Sequence, residues 1–253
     1  MRALVQALLL GGVLTAAATT TNAAAGESKA GLLTRTVSVG GESYTYQVYV
    51  PAKLAGKADQ PVILFLHGIG QRGEGGFIPA GGTAGALATQ YLEQVPAIAL
   101  LPQCRKGQYW HDPAMERMVM AAAEQTTAEF RADAKRLYLA GVSMGGFGVW
   151  HLASAHAGRF AAVVSICGGS PLTAGDRFTP LARKVGRTPA WVFHGSEDRL
   201  VPVTESRRMV EALKAVGGSR VRYSEYEGVG HNVWMNALAE PGLLPWLLGQ
   251  RAE

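Results

Sequence analysis

One stretch of this 253-residue chain, Gly-Val-Ser-Met-Gly at residues 141–145, decides the fold. The apolar run at residues 136–140 predicts a buried strand, and residues 146–153 predict a helix packed closely against it. A strand that turns sharply into a helix at G-x-S-x-G is a nucleophile elbow, which exposes the serine hydroxyl at the end of the strand. Glycines flank such a serine because a Cβ there would collide with neighbouring backbone. The pattern predicts that Ser143 is a nucleophile.

A serine nucleophile needs a base to take its proton, and the base needs a carboxylate to orient it. In chains with this elbow the order is serine, then the acid, then histidine. After residue 160 the only histidines are His194 and His231, and the only aspartates are Asp176 and Asp198. Asp198 follows an apolar run that predicts a strand from residue 190, and only His231 comes later. We therefore predict a triad of Ser143, Asp198 and His231.

Two other carboxylates compete for the role of the acid. Glu197 is the nearer rival because it neighbours Asp198, whereas Asp176 lies in a loop with no predicted strand to fix it. Asp198 itself could instead cap a helix beginning near residue 203, which is a common role for an aspartate after a strand.

The negative charge that develops during acyl transfer needs two backbone N–H donors, which form an oxyanion hole. One comes from the residue after the nucleophile, here Met144, and the other from the loop after the third strand. That strand is predicted at residues 61–66, and His67-Gly68-Ile69-Gly70 follows it. We predict that Ile69 supplies the second N–H, because Gly68 lets the chain turn the next amide inward.

The same loop contains G-x-G-x-x-G at residues 68–73, which resembles a dinucleotide-binding fingerprint. That fingerprint requires a helix to open at the third glycine, so that the helix N-terminus binds the pyrophosphate. Residues 74–82 are rich in glycine and include a proline, so they do not predict a helix. We therefore predict no nucleotide cofactor.

With these motifs the chain resembles the serine esterases of the α/β-hydrolase superfamily, in the group of phospholipase/carboxylesterases, feruloyl esterases and polyhydroxybutyrate depolymerases. The resemblance implies an α/β-hydrolase fold, with Ser143 as nucleophile, Asp198 as acid and His231 as base. It does not specify a substrate. The stretches that carry it lie at residues 66–74, 101–104, 141–145, 166–169, 194–202 and 230–232.

The rest of the chain is consistent with one α/β domain at residues 34–253. Residues 34–39 and 42–50 alternate in polarity around two glycines, which predicts an antiparallel hairpin. Short apolar runs near residues 96–101 and 160–166 predict buried parallel strands. Helices are predicted at residues 83–94, 113–131, 203–216 and 232–248, so the mostly parallel sheet of about eight strands has helices on both faces. No insertion is long enough for more than a minimal lid.

The N-terminus predicts export. Residues 1–25 combine a charged start, a short apolar core and the small residues Ala23-Ala24-Ala25, which is typical of a signal peptide. The apolar core is too short for a stable membrane span. Residues 26–33 are interpreted as a spacer, and the mature protein is expected to be secreted or periplasmic.

The charge, the possible metal ligands and the cysteines of the chain limit the binding partners that we expect. The net charge is +5, but the basic residues are scattered, so no nucleic-acid surface is predicted. No metal-ligand spacing is present and no metal is predicted. If the strand order is that of the α/β-hydrolase superfamily, as the resemblance implies, two other strands separate those that Cys104 and Cys167 follow, which favours free thiols over a disulfide. The expected partner is a small-molecule or polymer-borne ester.

Three functions remain open from the sequence. The first is a serine esterase, the second is a serine peptidase of prolyl-oligopeptidase type, and the third is a binding protein that kept the fold and lost the chemistry. All three predicted triad members are present, which favours an enzyme. The absence of a large extra domain favours esters over peptides.

Overall fold

The molecule is built on a single sheet of eight strands. The structure is a computed structural model that describes residues 30–77, 82–217 and 220–253, with the backbone alone for residues 82–87. The strands are β1 (Gly31–Val39), β2 (Glu42–Val50), β3 (Val62–Leu66), β4 (Ile98–Pro102), β5 (Leu137–Val142), β6 (Ala162–Ile166), β7 (Ala190–Gly195) and β8 (Val221–Tyr226).

The order of the strands across the sheet is β1-β2-β4-β3-β5-β6-β7-β8. β1 and β2 form an antiparallel hairpin, and β2 pairs antiparallel with β4. All the remaining pairs are parallel. The carboxyl ends of six strands therefore meet at one edge of the sheet, which is where ligands bind in open α/β sheets.

Helices cover both faces of the sheet, as the alternation along β5 shows. Leu137 and Leu139 pack into a core shared with the helices that follow β4, β5, β6 and β7. Tyr138, Ala140 and Val142 pack on the other face, against the C-terminal helices. The helices are α1 (Gly82–Gln94), α2 (Pro113–Glu129), α3 (Met144–Ala155), α4 (Thr179–Val185), α5 (Thr204–Ala215), α6 (Trp234–Leu238) and α7 (Leu243–Leu248).

This architecture confirms the predicted α/β-hydrolase fold, with its mostly parallel sheet and N-terminal hairpin. No helix among the described residues is both long enough and apolar enough to cross a bilayer. The predicted signal peptide at residues 1–25 lies outside the described residues. Of the predicted spacer at residues 26–33, the last three residues already belong to β1.

The predicted helix at residues 232–248 is wrong as a single element. His231–Val233 forms a 3-10 turn, α6 follows, and the chain breaks before α7. Pro241 lies in the break, where it has no N–H to continue a helix, and Gly242 adds backbone freedom. Sequence reasoning also missed α4, which is only seven residues long and begins next to a proline.

The two open edges of the sheet, β1 and β8, carry charged side chains that are held by neighbours. Arg35 on β1 donates a hydrogen bond to Glu129 of α2 at 2.9 Å. On β8, the guanidinium carbon of Arg222 lies 5.0 Å from the centre of the Trp191 ring. Both contacts bind an edge strand to a neighbouring element.

Candidate active site

The turn between β5 and α3 has the geometry of a nucleophile elbow. Ser143 is the single residue between the two elements, and its φ of 54° and ψ of −118° lie in a region that L-residues rarely adopt. Its N–H donates to the carbonyl of Ile166 on β6 at 2.9 Å, and its carbonyl accepts from Phe147 at 3.1 Å. The strained backbone is thus fixed on both sides.

The glycines of the elbow permit the close approach of backbone to backbone. A Cβ on Gly145 would lie 2.0 Å from the carbonyl oxygen of Leu66 on β3. A Cβ on Gly141 would lie 2.4 Å from the carbonyl oxygen of Gly145. Neither position can accept a side chain unless the backbone moves.

The three predicted triad residues lie together at the carboxyl edge of the sheet. The Ser143 hydroxyl lies 2.8 Å from His231 Nε2, and His231 Nδ1 lies 2.6 Å from Asp198 Oδ2. With Nδ1 protonated, the imidazole donates to the carboxylate and accepts from the serine, which is the arrangement that a general base needs.

The loops that carry Asp198 and His231 are joined to each other. Glu197 N–H donates to the carbonyl of Val229 at 3.0 Å. A Cβ on Gly195 would lie 2.2 Å from the same carbonyl oxygen, so the two loops touch. This contact fixes the position of the histidine relative to the carboxylate.

The carboxylate of Asp198 is completely buried and fully hydrogen-bonded. Oδ1 accepts from the N–H groups of Leu200 and Val201, each at 2.9 Å, and Oδ2 accepts from His231. Burial by itself would raise the pKa of this carboxyl, but the hydrogen bonds from Val201, His231 and Leu200 outweigh it and hold the pKa below its usual value. Asp198 is therefore ionised at neutral pH.

The competing carboxylates lie elsewhere. Glu197 is exposed. Asp176 is also exposed, and it accepts from the N–H groups of Phe178 and Thr179 at the start of α4. Asp198 does not cap α5, since its acceptor atoms are used within its own turn and at His231. Of the three carboxylates, only Asp198 reaches His231.

A second histidine supports the acid. His194 is completely buried, and its Nε2 lies 2.9 Å from the carbonyl of Val201 and 3.2 Å from Asp198 Oδ2. Both neighbours are acceptors, so Nε2 carries the proton and Nδ1 accepts from the Ser206 hydroxyl at 2.6 Å. The pKa of His194 is lowered, mainly by burial. The sequence did not predict the contact of His194 with Asp198.

The loop predicted to complete the oxyanion hole runs beside the nucleophile. A Cβ on Gly68 would lie 3.7 Å from Ser143 Cβ. Ile69 is the first residue of a 3-10 turn and Met144 is the first residue of α3. N–H groups at the start of a helix have no acceptor within it, so both amides are available to a ligand. No helix opens at Gly73, since α1 begins at Gly82, so the dinucleotide fingerprint is not met.

His67 holds this loop in place. It is completely buried, its Nδ1 donates to the carbonyl of Gly68 at 2.7 Å, and its Nε2 accepts from the N–H of Cys104 at 3.0 Å. Burial lowers the pKa of His67 to about 4. The imidazole is therefore neutral near pH 7 and links the loops after β3 and β4.

Both cysteines are free and fully buried. They follow β4 and β6, which β3 and β5 separate, as expected. Cys104 Sγ donates to the carbonyl of Gln108 at 3.3 Å, whereas Cys167 Sγ donates to the carbonyl of His231 at 3.6 Å. Cys167 therefore touches the triad, a contact that the sequence did not predict.

Comparisons with known proteins identify a family for the chain. The family model for phospholipases and carboxylesterases matches residues 111–240, just over half of the 253 residues. A solved thermostable esterase is 31% identical with a TM-score of 0.72, over 87% of this chain and 63% of that one. Esterase LipC of Mycobacterium tuberculosis is 43% identical over 54 residues, which are 21% of this chain and 13% of that protein. The chain thus spans less than two thirds of the length of either esterase.

The same fold also occurs in a peptidase. The acylaminoacyl peptidase of Pyrococcus horikoshii is 17% identical with a TM-score of 0.63, over 79% of this chain and 38% of that one. Similarity at this level shows the fold alone. The family match, by contrast, includes the elbow and the loops of Asp198 and His231. On that match and the sheet topology, the chain belongs to the phospholipase/carboxylesterase family of α/β-hydrolases.

Proposed function

We propose that the protein is an exported serine carboxylic-ester hydrolase that works through an acyl-enzyme on short or polar acyl esters. The observation that carries the proposal is the continuous hydrogen-bonded relay from Ser143 through His231 to a buried, ionised Asp198. A binding protein would not need a strained serine aligned with a base.

In the first half of the proposed reaction, His231 Nε2 takes the proton of the Ser143 hydroxyl as Oγ attacks the ester carbonyl carbon. The N–H groups of Met144 and Ile69 receive the oxyanion of the tetrahedral intermediate. When this collapses, the proton on Nε2 passes to the leaving alkoxide, and the acyl group remains on Oγ. Asp198 stabilises the imidazolium that forms between these steps.

In the second half, water takes the place of the alcohol. His231 Nε2 removes a proton from the water, the hydroxide adds to the acyl carbon, and collapse returns the proton to Ser143 Oγ with release of the carboxylic acid. The same oxyanion donors act in both halves, and each donor of this kind is worth about 10²–10³ in rate.

The surroundings of Ser143 support an ester with a small apolar part. Ser143 and His231 are both partly exposed. The exposed large apolar side chains of the described residues all follow the carboxyl ends of strands, at the edge of the sheet where Ser143 lies: they are Ile69, Tyr109, Leu172 and Leu200. Such a rim can bind short alkyl or aryl groups from solvent.

The proposal is tested with purified protein on a panel of esters and amides. Aryl acetates and butyrates should turn over at least about a hundredfold faster than long-chain esters, a gap of about 2.7 kcal/mol in transition-state binding. Ser143→Ala should lose at least about 10³-fold of this activity while keeping its fold. A fluorophosphonate probe should label the wild type at Ser143.

Each alternative has its own result. Cleavage of a prolyl or alanyl amide that Ser143→Ala abolishes would assign a peptidase instead, in which the same three residues act on an amide. Labelling that persists in Ser143→Ala would remove Ser143 from the role of nucleophile. A wild type that neither reacts with the probe nor cleaves any ester would be a binding protein.

A further inference from the structure

Cys167 occupies an unusual position beside the triad. It follows β6 directly, is fully buried, and has a positive φ of 42°. Its N–H donates to the carbonyl of Phe193 at 2.8 Å, which binds it to β7. Its thiol points at the loop of His231 and lies 3.6 Å from the His231 carbonyl oxygen. The proposed hydrolysis gives this thiol no role.

The thiol forms a compact set with two members of the triad. Cys167 Sγ, a carboxylate oxygen of Asp198 and a ring nitrogen of His231 all lie within 4.8 Å of one another. Among the residues that the structure describes, no other group of three histidine, cysteine or acidic side chains brings its ligand atoms this close. Cys104, equally buried, belongs to no such group of three.

The chemistry of this set is that of a zinc site. Thiolate, imidazole and carboxylate are the three ligand types of Zn²⁺, with bonds of about 2.3 Å to sulfur and about 2.0–2.2 Å to nitrogen and oxygen. Tetrahedral coordination at those lengths separates ligand atoms by about 3.3–3.7 Å. Side-chain shifts of about 1 Å would bring the three atoms to that spacing, with water as the fourth ligand.

We propose that Cys167, Asp198 and His231 form an inhibitory site for Zn²⁺ and related thiophilic divalent cations. No sequence motif predicted it, because the three residues come from three separate loops. The proposal rests on the proposed hydrolase function only for its consequence, which is inhibition; binding itself depends on the geometry alone.

Occupancy of the site would remove the base. The ring nitrogen nearest Asp198 is Nδ1. Coordination through Nδ1 moves the imidazole proton to Nε2, the nitrogen that faces Ser143 Oγ. With this proton in place, Nε2 can no longer accept the proton of the serine hydroxyl. The Cys167 thiol, whose pKa is raised to about 12 mainly by burial, loses its proton to solvent as the metal–sulfur bond forms. One proton is thus released for each ion bound.

Of the three proposed ligands, only His231 meets solvent, because the side chains of Cys167 and Asp198 are fully buried. The His231 side chain is 23% exposed, whereas Asp198 is fully covered. Entry along the imidazole requires displacement of the hydrogen bond between His231 and Asp198 and no opening of the sheet. This is the route that the proposal requires.

The experiment measures binding and inhibition separately, with Cd²⁺ as the probe. Binding is followed by the ultraviolet charge-transfer band of cadmium–thiolate coordination, in the wild type and in the catalytically disabled Ser143→Ala. Inhibition is followed as ester turnover against free Cd²⁺ or Zn²⁺, each variant relative to its own metal-free rate, and then after addition of EDTA.

We expect the band in both proteins, and inhibition of the wild type that EDTA reverses. Cys167→Ser should lose the band and need at least tenfold more Cd²⁺ for half-inhibition. Cys104→Ser, the matched control at the other buried thiol, should behave like the wild type. If Cys167→Ser does not fold, Cys167→Ala and Asp198→Asn serve in its place, and both should lose the band.

The proposal is overturned if Cys167→Ser and the wild type respond equally to Cd²⁺, or if the band disappears in Cys104→Ser instead. A band in Ser143→Ala together with a wild type that cleaves no ester would keep the metal site and reject the hydrolase function. Ester turnover by a wild type that shows no band would keep the hydrolase function and reject the metal site.

Discussion

At the residue scale, the proposed acid differs from its neighbour in its surroundings. Asp198 and Glu197 are adjacent in the chain, but one carboxylate is buried among donors and the other is in solvent. A buried carboxylate stays ionised only if hydrogen bonds replace the lost water. Asp198 has two backbone donors and two histidines for this purpose.

Replacing Asp198 should therefore damage catalysis far more than replacing its neighbour. Asp198→Asn is expected to lower kcat by about 10⁴, because the amide can hold His231 in the wrong tautomer. Steady-state kinetics on an aryl acetate, with circular dichroism to confirm folding, measures this. Glu197→Gln is the matched control and should stay near the wild-type rate. The opposite order of effects would assign the acid to Glu197.

His67 gives the fold a dependence on pH. Its pKa is about 4 in the folded protein, against about 6.5 in an unfolded chain. Between these values the unfolded state binds the extra proton, so the contribution to stability is complete above about pH 6.5 and is lost as the pH falls towards 4. The full difference corresponds to about 3 kcal/mol.

Urea denaturation of the wild type and His67→Gln at pH 7 and pH 4 tests this dependence. The gap in free energy of unfolding between the two proteins should shrink by about 3 kcal/mol at the lower pH, since only the wild type can lose the contribution of His67. Nitrogen NMR on the wild type provides a second measurement, in which His67 should be neutral and protonated on Nδ1 at pH 7. A titration of His67 near pH 6.5 would contradict the prediction.

At the element scale, the parts of the fold that could be predicted are those where local sequence and burial agree. The run that leads to residue 142 is apolar because β5 is covered on both faces. The glycines after it cannot be replaced by a larger residue, because a Cβ there would collide with neighbouring atoms. The prediction of a single C-terminal helix failed because apolar residues continue on both sides of Pro241. In the structure two short helices pack against the sheet instead of one.

The contacts of the site were harder to predict than its members. Chain order and the position of strand ends identified Asp198 and His231. The contact of Cys167 with His231 depends on which strands are neighbours and on their register, so it is not visible in the sequence. The contact of His194 with Asp198 is local, between residues four apart, but it depends on how the turn after β7 folds, which the residue types alone do not specify.

The elbow should be intolerant of the smallest side chain. Gly145→Ala would place a methyl group 2.0 Å from the Leu66 carbonyl oxygen. The backbone of α3 or β3 must then move, at a cost of about 3 kcal/mol or more. Gly75→Ala is the matched control, because a Cβ there meets nothing within 4 Å. Urea denaturation of both variants measures the difference, and equal stabilities would refute the close approach.

At the scale of the whole molecule, the site is a product of parallel pairing. Ser143, Asp198 and His231 follow β5, β7 and β8, which lie in one parallel set, so their loops emerge at one edge. Ile69 arrives there from β3, on the other side of β5. Residues far apart in the chain thereby meet at one edge of the sheet.

The proposed export can also be tested on the whole chain. Protein secreted by a bacterial host should begin at or near Gly26, because the apolar core and Ala23-Ala24-Ala25 predict cleavage there. Intact mass spectrometry measures the terminus. Leu8→Arg, which interrupts the apolar core, is the control and should remain unprocessed. A wild type that stays in the cytosol with its first residues intact would refute the proposal.

The charged residues on β1 and β8 have a consequence for how molecules associate. The edge of a sheet presents unpaired backbone groups that can template a strand from another chain. A charged side chain opposes this, since an incoming strand would have to strip it of water. Arg35 is held by Glu129 and Arg222 lies against Trp191, so neither can swing aside without losing a contact. At both edges these charges therefore oppose the strand pairing between molecules that begins fibrillar aggregation.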